Sequence, residues 1–363
     1  PPSSESSFRW SRPPPEFRTT KGNQLPNDIL TRAIDAAASG QHLTTDHASA
    51  VLTEIMEGRS DEVQTAAFLI ALRTKGETVP ELIGLARTMR SLAEPVEVSG
   101  DLVDTAGTGG GPSTFNVSTT AALVAAGAGC PVAKHGNRSS TSLSGSADLL
   151  EALGVDIEIT PEKVAASIEE TGFGFMFAPR HHKAMAHVVP VRKALAVRTI
   201  FNFLGPLTNP AGARRQLMGV SDRRYQESIA EALAGLGTER ALVVSGDDGI
   251  DEISITGPTR IIEVVDGGTS EWFVSPGDFE LERAELGDVA GGTPDENAAA
   301  TRAVLEGEKG PRRDLVVLNA AAAILVGGKA GDFAAGVVAA QEAIDSGAAA
   351  AVLARLVSFT GQS

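Results

Sequence analysis

The sequence predicts an α/β protein with a small all-helical domain and a larger α/β domain, whose mostly parallel central sheet is flanked by helices. Residues 25–95 read as consecutive helical segments, whereas strands and helices alternate from residue 96 onward. Aromatic residues make up only 4% of the chain while Gly and Ala are heavily used, which favours close packing of helices on a sheet. The 363 residues are enough for two domains or one large one, and the 42% hydrophobic content supplies a core.

The helical segments are predicted to follow an extension over residues 1–24. This extension is rich in Pro and Ser without apolar periodicity, so we expect it to be disordered. The helical segments cover residues 28–40, 43–58, 61–76 and 80–93. Thr44 or Thr45 serves as an N-cap and Pro80 opens the last segment. The segment 61–76 is apolar on most faces, which predicts a buried helix.

Strands and helices are predicted in alternation over the rest of the chain. Segments 96–107, 240–249 and 259–268 read as strands, 119–136 as a helix and a short strand, and 316–327 and 334–359 as Ala-rich helices. Thr160 and Pro161 mark a helix start as N-cap and first helical residue. This order predicts a parallel sheet covered by helices.

The balance of charge argues against nucleic acid or a membrane as partner. The chain carries 46 acidic and 31 basic residues, a net charge of -15, so both polyanions would repel it. The single cysteine, Cys130, excludes an internal disulfide framework, and we expect a small buried hydrophobe in a cytoplasmic protein. An anionic substrate must therefore meet a local basic pocket.

Four glycines lie in the stretch DTAGTGGGPSTFNVSTT, residues 104–120. A dinucleotide fingerprint does not fit, because Pro112 removes a donor and no acidic ribose anchor follows about 20 residues later. A Walker-type loop does not fit either, because no Lys-Ser/Thr follows the glycines. The remaining interpretation is an anion cradle of backbone N–H groups, supplemented by Asn116, Ser118 and Thr119 at a helix start.

A second stretch, KHGNRSSTSLSGSADLLEALGV at 134–155, combines cations with hydroxyl groups. Lys134, His135 and Arg138 lie within five residues, and a helix could begin at Ser146. Two anion-binding loops that each open a helix predict a ligand with separated phosphates.

These two loops and three further segments, 175–195, 198–211 and 247–259, together resemble one enzyme family. In order and spacing they closely resemble the anthranilate phosphoribosyltransferases of tryptophan biosynthesis, over residues 26–360. The resemblance implies transfer of the 5-phosphoribosyl group of phosphoribosyl pyrophosphate (PRPP) to the amino nitrogen of anthranilate, with release of pyrophosphate and with Mg²⁺. It also suggests a homodimer through the helical domain.

We accordingly divide the chain into a helical domain over residues 25–95, joined in space by helices around residues 180–200, and an α/β PRPP-binding domain over residues 96–175 and 201–363. The resemblance then assigns ligand contacts. PRPP would be bound by Gly107, Thr108, Gly109, Gly110, Asn116, Ser118, Thr119, Lys134 and Ser146. The anthranilate-binding site would be lined by Gly107, His135, Asn137, His182, Met185, Arg192, Gly205 and Pro206. Ser118, Asp251 and Glu252 would hold one or two Mg²⁺ ions, since Mg²⁺ prefers oxygen ligands.

The resemblance assigns catalysis to Asn137, His135 and Arg192. Asn137 would orient the attacking amine, and Arg192 would face the carboxylate of anthranilate, which suits a guanidinium. The aromatic amine is already neutral at physiological pH, so catalysis should rest on positioning and on stabilising the leaving group. His135 is the nearest candidate for a general base. Asp247 and Asp248 are expected to be solvated.

The chain departs from the family's common loop sequence at one place, and two alternative functions remain open. The family's common loop is G-T-G-G-D-G with one more residue before N-x-S-T, whereas Gly111 and Pro112 stand there in this chain. A pyrimidine nucleoside phosphorylase has the same architecture but needs neither the pair Asp251 and Glu252 nor the segment GPLTNP. A non-enzymatic nucleic-acid-binding relative would need a basic surface, against which the net charge argues.

Overall fold

The computed structural model describes residues 26–139 and 142–361, so the extension expected over residues 1–24 lies outside the described residues. Within the described part, a helical bundle packs beside a seven-stranded sheet that has helices on both faces. The predicted fold class is therefore confirmed.

Four helices form the N-terminal bundle, close to the predicted segments. They are α1 (Asp28–Ala38), α2 (Thr45–Met56), α3 (Glu62–Lys75) and α4 (Val79–Ser91). Thr44 is the N-cap of α2, and Gly76 ends α3 at a positive φ of 88°. The prediction that α3 is buried was wrong: Val63 is 77% exposed and Ile70 is 37% exposed. The reason is that neighbouring helices cover only part of its apolar surface.

The sheet contains five parallel and two antiparallel strands. They are β1 (Val103–Gly107), β2 (Val132–Gly136), β3 (Phe173–Phe177), β4 (Arg215–Gly219), β5 (Arg240–Gly246), β6 (Thr259–Val265) and β7 (Gly268–Val274). Their order is β3-β2-β1-β4-β5-β6-β7, with parallel pairing from β3 to β5 and antiparallel pairing of β5 with β6 and of β6 with β7. Leu242 and Val244 face one apolar core, and Ala241 and Val243 face the other. This alternation buries both faces of the sheet.

The remaining helices cover the two faces. They are α5 (Val117–Gly127), α6 (Ser146–Ala152), α7 (Pro161–Thr171), α8 (Ala178–His181), α9 (Val189–Leu195), α10 (Phe201–Leu204), α11 (Gln226–Gly235), α12 (Pro294–Leu305), α13 (Pro311–Val326), α14 (Phe333–Asp345) and α15 (Ala348–Thr360). Thr160 caps α7 as predicted. Helix α13 packs on α5 and α14, whereas α11 packs on α4, β5 and β6. Among the described residues no single helix is long and apolar enough to cross a membrane, and α14 and α15, bent by 61°, pass that test only as a pair.

The segment after β3 returns to the helical bundle. Val191 of α9 and Phe201 of α10 belong to the same apolar core as Leu30, Leu52 and Leu72 of the bundle. This segment also leads back to the sheet through a short 3₁₀ turn at Gly205–Leu207. It therefore lies between the bundle and the carboxyl ends of the strands.

Candidate active site

Four parallel strands end in glycine at the same edge of the sheet. Gly136, Gly107, Gly219 and Gly246 close β2, β1, β4 and β5. The carboxyl ends of parallel strands are where α/β proteins form ligand sites. A Cβ on Gly107 would lie 2.2 Å from Oδ2 of Asp251, and a Cβ on Gly219 would lie 1.6 Å from the Asp251 carbonyl oxygen. Glycine at both positions therefore lets Asp251 rest directly on the ends of β1 and β4.

The glycine loop, residues 107–116, connects β1 to α5. Gly109 and Gly110 both have left-handed backbones, with φ of 63° and 89°. The Gly109 N–H donates to Oδ2 of Asp251 at 2.7 Å. On the other side, Arg198 donates to the carbonyl oxygens of Thr108 and Gly109 at 2.9 and 2.6 Å. The loop therefore turns an N–H toward the acidic residues and its carbonyls toward Arg198.

Asn116 joins the two predicted anion-binding loops. It adopts a left-handed backbone, φ 57°, at the N-cap position of α5. Its Oδ1 accepts from the hydroxyl of Ser144 at 2.9 Å and from the amide of Asn297 at 2.7 Å, and its own amide donates to the Ser144 carbonyl at 3.1 Å. The side chain thus fixes the loop before α6 to the start of α5.

Lys134 lies on β2 beneath the start of α5 and is only 2% exposed. Its ammonium donates to the carbonyl and the hydroxyl of Thr105 and, at 3.4 Å, to Oγ of Ser118. Burial lowers the pKa of Lys134 to about 8. The hydroxyl of Thr119 is buried and has no partner among the described residues. A buried cation, a hydroxyl in contact with it and an unpaired hydroxyl therefore lie at the start of α5, where an anion is favoured.

Asp251 and Glu252 form an acidic pair at the loop after β5. Glu252 is buried and accepts hydrogen bonds from the Thr114 hydroxyl at 2.9 and 3.1 Å. Burial, and then the neighbouring Asp251, raise the pKa of Glu252 to about 8, and desolvation also raises the pKa of Asp251. Two carboxylates deprived of water fit a divalent cation, which would supply the missing counter-charge. Among the described residues no group of three His, Cys, Asp or Glu could hold a metal, so hydroxyl, water or phosphate oxygens must complete its shell.

Asp248 and Asn319, which the sequence analysis did not place in the site, hold the loop that carries Asp251 and Glu252. Asp248 accepts from the hydroxyls of Ser254 and Thr256 at 2.6 and 2.7 Å, so its prediction as a solvated residue was wrong. The loop folds back after β5 and brings these hydroxyls onto it. Asn319 of α13 accepts from the N–H of Ile253 and donates to its carbonyl, both at 2.9 Å. The backbone next to Glu252 is therefore held on both sides.

The basic stretch after β2 is less cationic than its residues suggest. Arg138 pairs with both Asp148 and Glu151 of α6, so its charge is compensated. Ser146 begins α6 as predicted, and its hydroxyl donates to the carbonyl of Asn137 at 3.2 Å. Asn137 itself is exposed at the end of β2. Of the three basic groups read from this stretch, only Lys134 places a positive charge beside the glycine loop, and Asp104 and Glu252 lie near enough to oppose the lowering of its pKa by burial.

Two buried histidines lie beside this edge of the sheet. The ring centroids of His135 and His182 are 5.0 Å apart, and Nδ1 of His135 is 3.2 Å from the carbonyl oxygen of Gly205. Burial, and then the neighbouring His182, lower the pKa of His135 to about 3, and burial lowers the pKa of His182 to about 4. Both rings are therefore neutral, and Nε2 of His135 has no partner among the described residues.

Arg192 on α9 lies on the side of the helical bundle. Its guanidinium stacks 5.6 Å from the ring centroid of Phe201, and burial alone lowers its pKa. No carboxylate among the described residues forms an ion pair with it. Met185 is half-buried and Pro206 is buried, whereas His187 is exposed and lies against Gly58. On the side of the helical bundle, the site thus offers a cation without an acidic partner, surrounded by apolar neighbours.

Several positioning residues escaped the sequence analysis. Asp104, buried in β1, accepts from the His135 N–H at 3.2 Å and from the Asn209 amide at 2.8 Å, and so links β2 to the segment GPLTNP. Asn319 and Asn297 hold loops from helices. A lone Asn in the otherwise apolar run VVLNAAAAILV was the available signal for Asn319, because a buried amide needs partners. No local pattern marks Arg198.

The chain is similar to known proteins over most of its length. Residues 31–93 match a family described as "Glycosyl transferase family, helical bundle domain" and residues 99–350 match "Glycosyl transferase family, a/b domain". The anthranilate phosphoribosyltransferase of Rubrobacter xylanophilus is 54% identical, over 91% of this chain and 97% of that protein. The crystal structure of the Thermus thermophilus enzyme is similar with a TM-score of 0.86 and 46% identity, covering 90% of this chain and 99% of that one. The Saccharomyces cerevisiae enzyme in complex with PRPP and Mg has a TM-score of 0.85 and 29% identity, covering 92% and 98%.

Proposed function

The chain belongs to the anthranilate phosphoribosyltransferase family, and on that premise we propose how its own residues carry out the reaction. The protein is a pentosyltransferase of tryptophan biosynthesis. It transfers the 5-phosphoribosyl group of PRPP to the amino nitrogen of anthranilate and forms N-(5-phosphoribosyl)anthranilate and pyrophosphate.

PRPP binds, in this proposal, across the glycine loop and the start of α5. The observation that carries the assignment is the meeting of three features at one edge of the sheet: left-handed glycines, a buried lysine and a buried acidic pair. The loop contacts come from Gly107, Thr108, Gly109 and Gly110, and the remaining contacts from Asn116, Ser118, Thr119, Lys134 and Ser146. Lys134 lies behind Ser118, donates a hydrogen bond to its hydroxyl and adds positive charge beneath the bound phosphates. Asn116 holds the loop before α6 against the start of α5.

Mg²⁺ is held by Asp251 and Glu252, with Ser118 as a further oxygen ligand, and we propose one or two ions. The raised pKa values of both carboxylates support this, since a cation would stabilise their charged forms. When bound, the metal neutralises charge on the departing pyrophosphate. Asn319 and Asp248 keep the two acids at the sheet edge through the hydrogen bonds described above.

Anthranilate binds between the sheet edge and α9. Arg192 faces its carboxylate, because this guanidinium has no acidic partner among the described residues and lies on an aromatic ring. Apolar and neutral surface comes from His135, His182, Met185, Gly205, Pro206 and Gly107. The carbonyl of Gly205 holds Nδ1 of His135, which leaves Nε2 able to accept a hydrogen bond from the amino group.

The reaction then depends on orientation more than on base catalysis. Asn137, at the exposed end of β2, orients the attacking amine between the two substrates. A histidine with a pKa of about 3 holds a proton poorly, so His135 acts as a hydrogen-bond acceptor and the proton leaves to water or pyrophosphate after attack. The N–H groups of the glycine loop stabilise the leaving group as the anomeric carbon develops oxocarbenium character.

Neither alternative function is favoured. Phosphorolysis of pyrimidine nucleosides uses inorganic phosphate and leaves the pair of Asp251 and Glu252 without a role. A nucleic-acid-binding function conflicts with the net charge of -15. Anthranilate fluorescence provides the test: it should decrease only when protein, PRPP and Mg²⁺ are all present. Phosphorolysis of thymidine, or no consumption of anthranilate, would contradict the assignment.

A homodimer through the helical domain is the proposed assembly, with the domain boundaries predicted above, in a cytoplasmic protein. Apolar side chains are exposed on adjoining helices of the bundle, namely Ile29 on α1, Val63 and Ile70 on α3, and Val189 on α9. Light scattering should report twice the chain mass for the wild type and the chain mass for Val63→Asp. A monomeric wild-type protein would contradict this.

A further inference from the structure

Arg198 holds the glycine loop from the side opposite to the acidic pair. Its Nη1 donates to the carbonyl oxygen of Gly109 at 2.6 Å and its Nη2 to that of Thr108 at 2.9 Å. The hydroxyl of Ser221, which follows β4, donates to the same Gly109 oxygen at 2.7 Å. A planar guanidinium is suited to such a paired contact, whereas an ammonium is not. Two consecutive carbonyls are thus fixed by one side chain.

This contact determines where the next N–H groups point. In a planar trans peptide the C=O and the following N–H point in opposite directions. Because the carbonyls of Thr108 and Gly109 face Arg198, the N–H groups of Gly109 and Gly110 face away from it. The Gly109 N–H accordingly reaches Oδ2 of Asp251 at 2.7 Å, and that of Gly110 has no protein acceptor among the described residues.

The close approach of Arg198 leaves no room for a side chain at position 110. A Cβ at position 110 would lie 1.5 Å from Nη1 and 2.7 Å from Cζ of Arg198. Any side chain at position 110 would therefore displace the guanidinium from both carbonyls. The last glycine of the G-T-G-G run is thus required by the contact with Arg198 as well as by its φ of 89°.

Arg198 also belongs to the segment that carries the anthranilate-facing residue. It follows α9 with Arg192 and precedes α10, and its guanidinium lies 6.0 Å from the ring centroid of Phe203 on that helix. We propose that Arg198 is a positioning residue that orients the Gly110 N–H of the glycine loop toward the pyrophosphate of PRPP, while the Gly109 N–H stays bound to Asp251. This inference rests on the proposed assignment of that loop to PRPP.

The test compares Arg198→Ala, Arg198→Lys and the control Arg224→Ala. Arg224 is a nearby exposed arginine that pairs with Asp222, so its loss removes the same charge without touching the loop. We expect Arg198→Ala to weaken PRPP binding, measured by titration calorimetry with Mg²⁺ and without anthranilate, by about 10- to 100-fold. The KM for anthranilate should stay close to the wild-type value. Arg198→Lys should recover only part of the loss, and Arg224→Ala should bind PRPP as the wild type does.

A double-mutant cycle with Gly110→Ala separates the contact from backbone strain. The strain of Ala at a positive φ is present in both backgrounds, whereas the clash with the guanidinium exists only when Arg198 is present. Gly110→Ala should therefore weaken PRPP binding strongly in the wild type and much less in Arg198→Ala. If Arg198→Ala does not fold, Ser221→Ala should shift PRPP affinity in the same direction by a smaller factor.

Three results would overturn the proposal. Full recovery by Arg198→Lys would mean that a point charge acts directly on PRPP. Unchanged PRPP affinity in Arg198→Ala, or strictly additive effects in the cycle, would mean that the contact does not orient the loop. In each case a wild-type protein that still consumes anthranilate leaves the proposed function standing, whereas failure of the wild type to do so refutes the function itself.

Discussion

Replacement of Arg192 by alanine tests the assignment of the anthranilate carboxylate. The guanidinium is half-buried, lies 5.6 Å from the ring centroid of Phe201 and has no acidic partner among the described residues. The substrate carboxylate would thus be its counter-charge. Charge-assisted hydrogen bonds of this kind are worth about 2–3 kcal/mol, which corresponds to about 30- to 150-fold in the KM for anthranilate. The KM for PRPP should not change.

The assay follows anthranilate fluorescence while each substrate is varied at saturating concentrations of the other and of Mg²⁺. Lys193→Ala is the matched control, because this exposed cation lies next to Arg192 on α9. It should leave both KM values unchanged. Arg192→Ala loses no ion pair within the protein, so its free energy of unfolding should fall only by the contact with Phe201, about 1 kcal/mol. Equal increases in both KM values, or an equal effect of Lys193→Ala, would refute the reasoning.

Further predictions concern the sheet edge and the buried histidines. Gly219→Ala places a Cβ 1.6 Å from the carbonyl oxygen of Asp251, so it should displace this acid and reduce kcat/KM about 100-fold. The control Gly257→Ala, whose Cβ would have nothing within 4 Å, should have the kcat/KM of the wild type. Equal kcat/KM values for the two variants would contradict the close approach of Asp251 to Gly219. The pKa values of His135 and His182, about 3 and 4, lie below the ~6.5 of an exposed histidine, so the unfolded chain gains the extra protons as pH falls. The free energy of unfolding should therefore carry no penalty from these two histidines above pH ~6.5. Between pH ~6.5 and ~4 it should fall by about 1.4 kcal/mol per pH unit for each of them. Urea unfolding at two pH values in this range should show a shallower decline for His182→Gln than for the wild type, and identical declines would contradict the assignment.

Helices with local start and stop signals were predicted well. Thr44 and Thr160 cap α2 and α7, and Gly76 ends α3, because each signal acts on backbone groups within one turn. Three strands, β3, β4 and β7, were not predicted. The short β4 is stabilised by parallel pairing with β1 and β5, which are distant in sequence. The mostly exposed β7 pairs with β6 across a turn at Asp266 and Gly267, both at positive φ, and this Asp-Gly pair was an unused hairpin signal.

The site was predicted as a set of residues more successfully than as a network of contacts. The glycine loop, Lys134 and the pair of Asp251 and Glu252 do meet at one edge of the sheet. Their roles as PRPP and metal contacts stay predictions. The supporting residues could not be read from the sequence, because Asn319 and Asp104 act through partners 66 and 31 residues away.

By itself, the sequence determined the fold class, the positions of most helices and the family, because caps, turns and ordered motifs are carried by residues close together in the chain. Only the tertiary structure decided which cations are available to a substrate. Arg138, from the basic stretch, is compensated by Asp148 and Glu151, whereas Arg198 lies against the glycine loop and Arg192 has no acidic partner among the described residues. Compensation of a charge depends on separations of a few ångströms and on burial, and both are set by how distant segments pack.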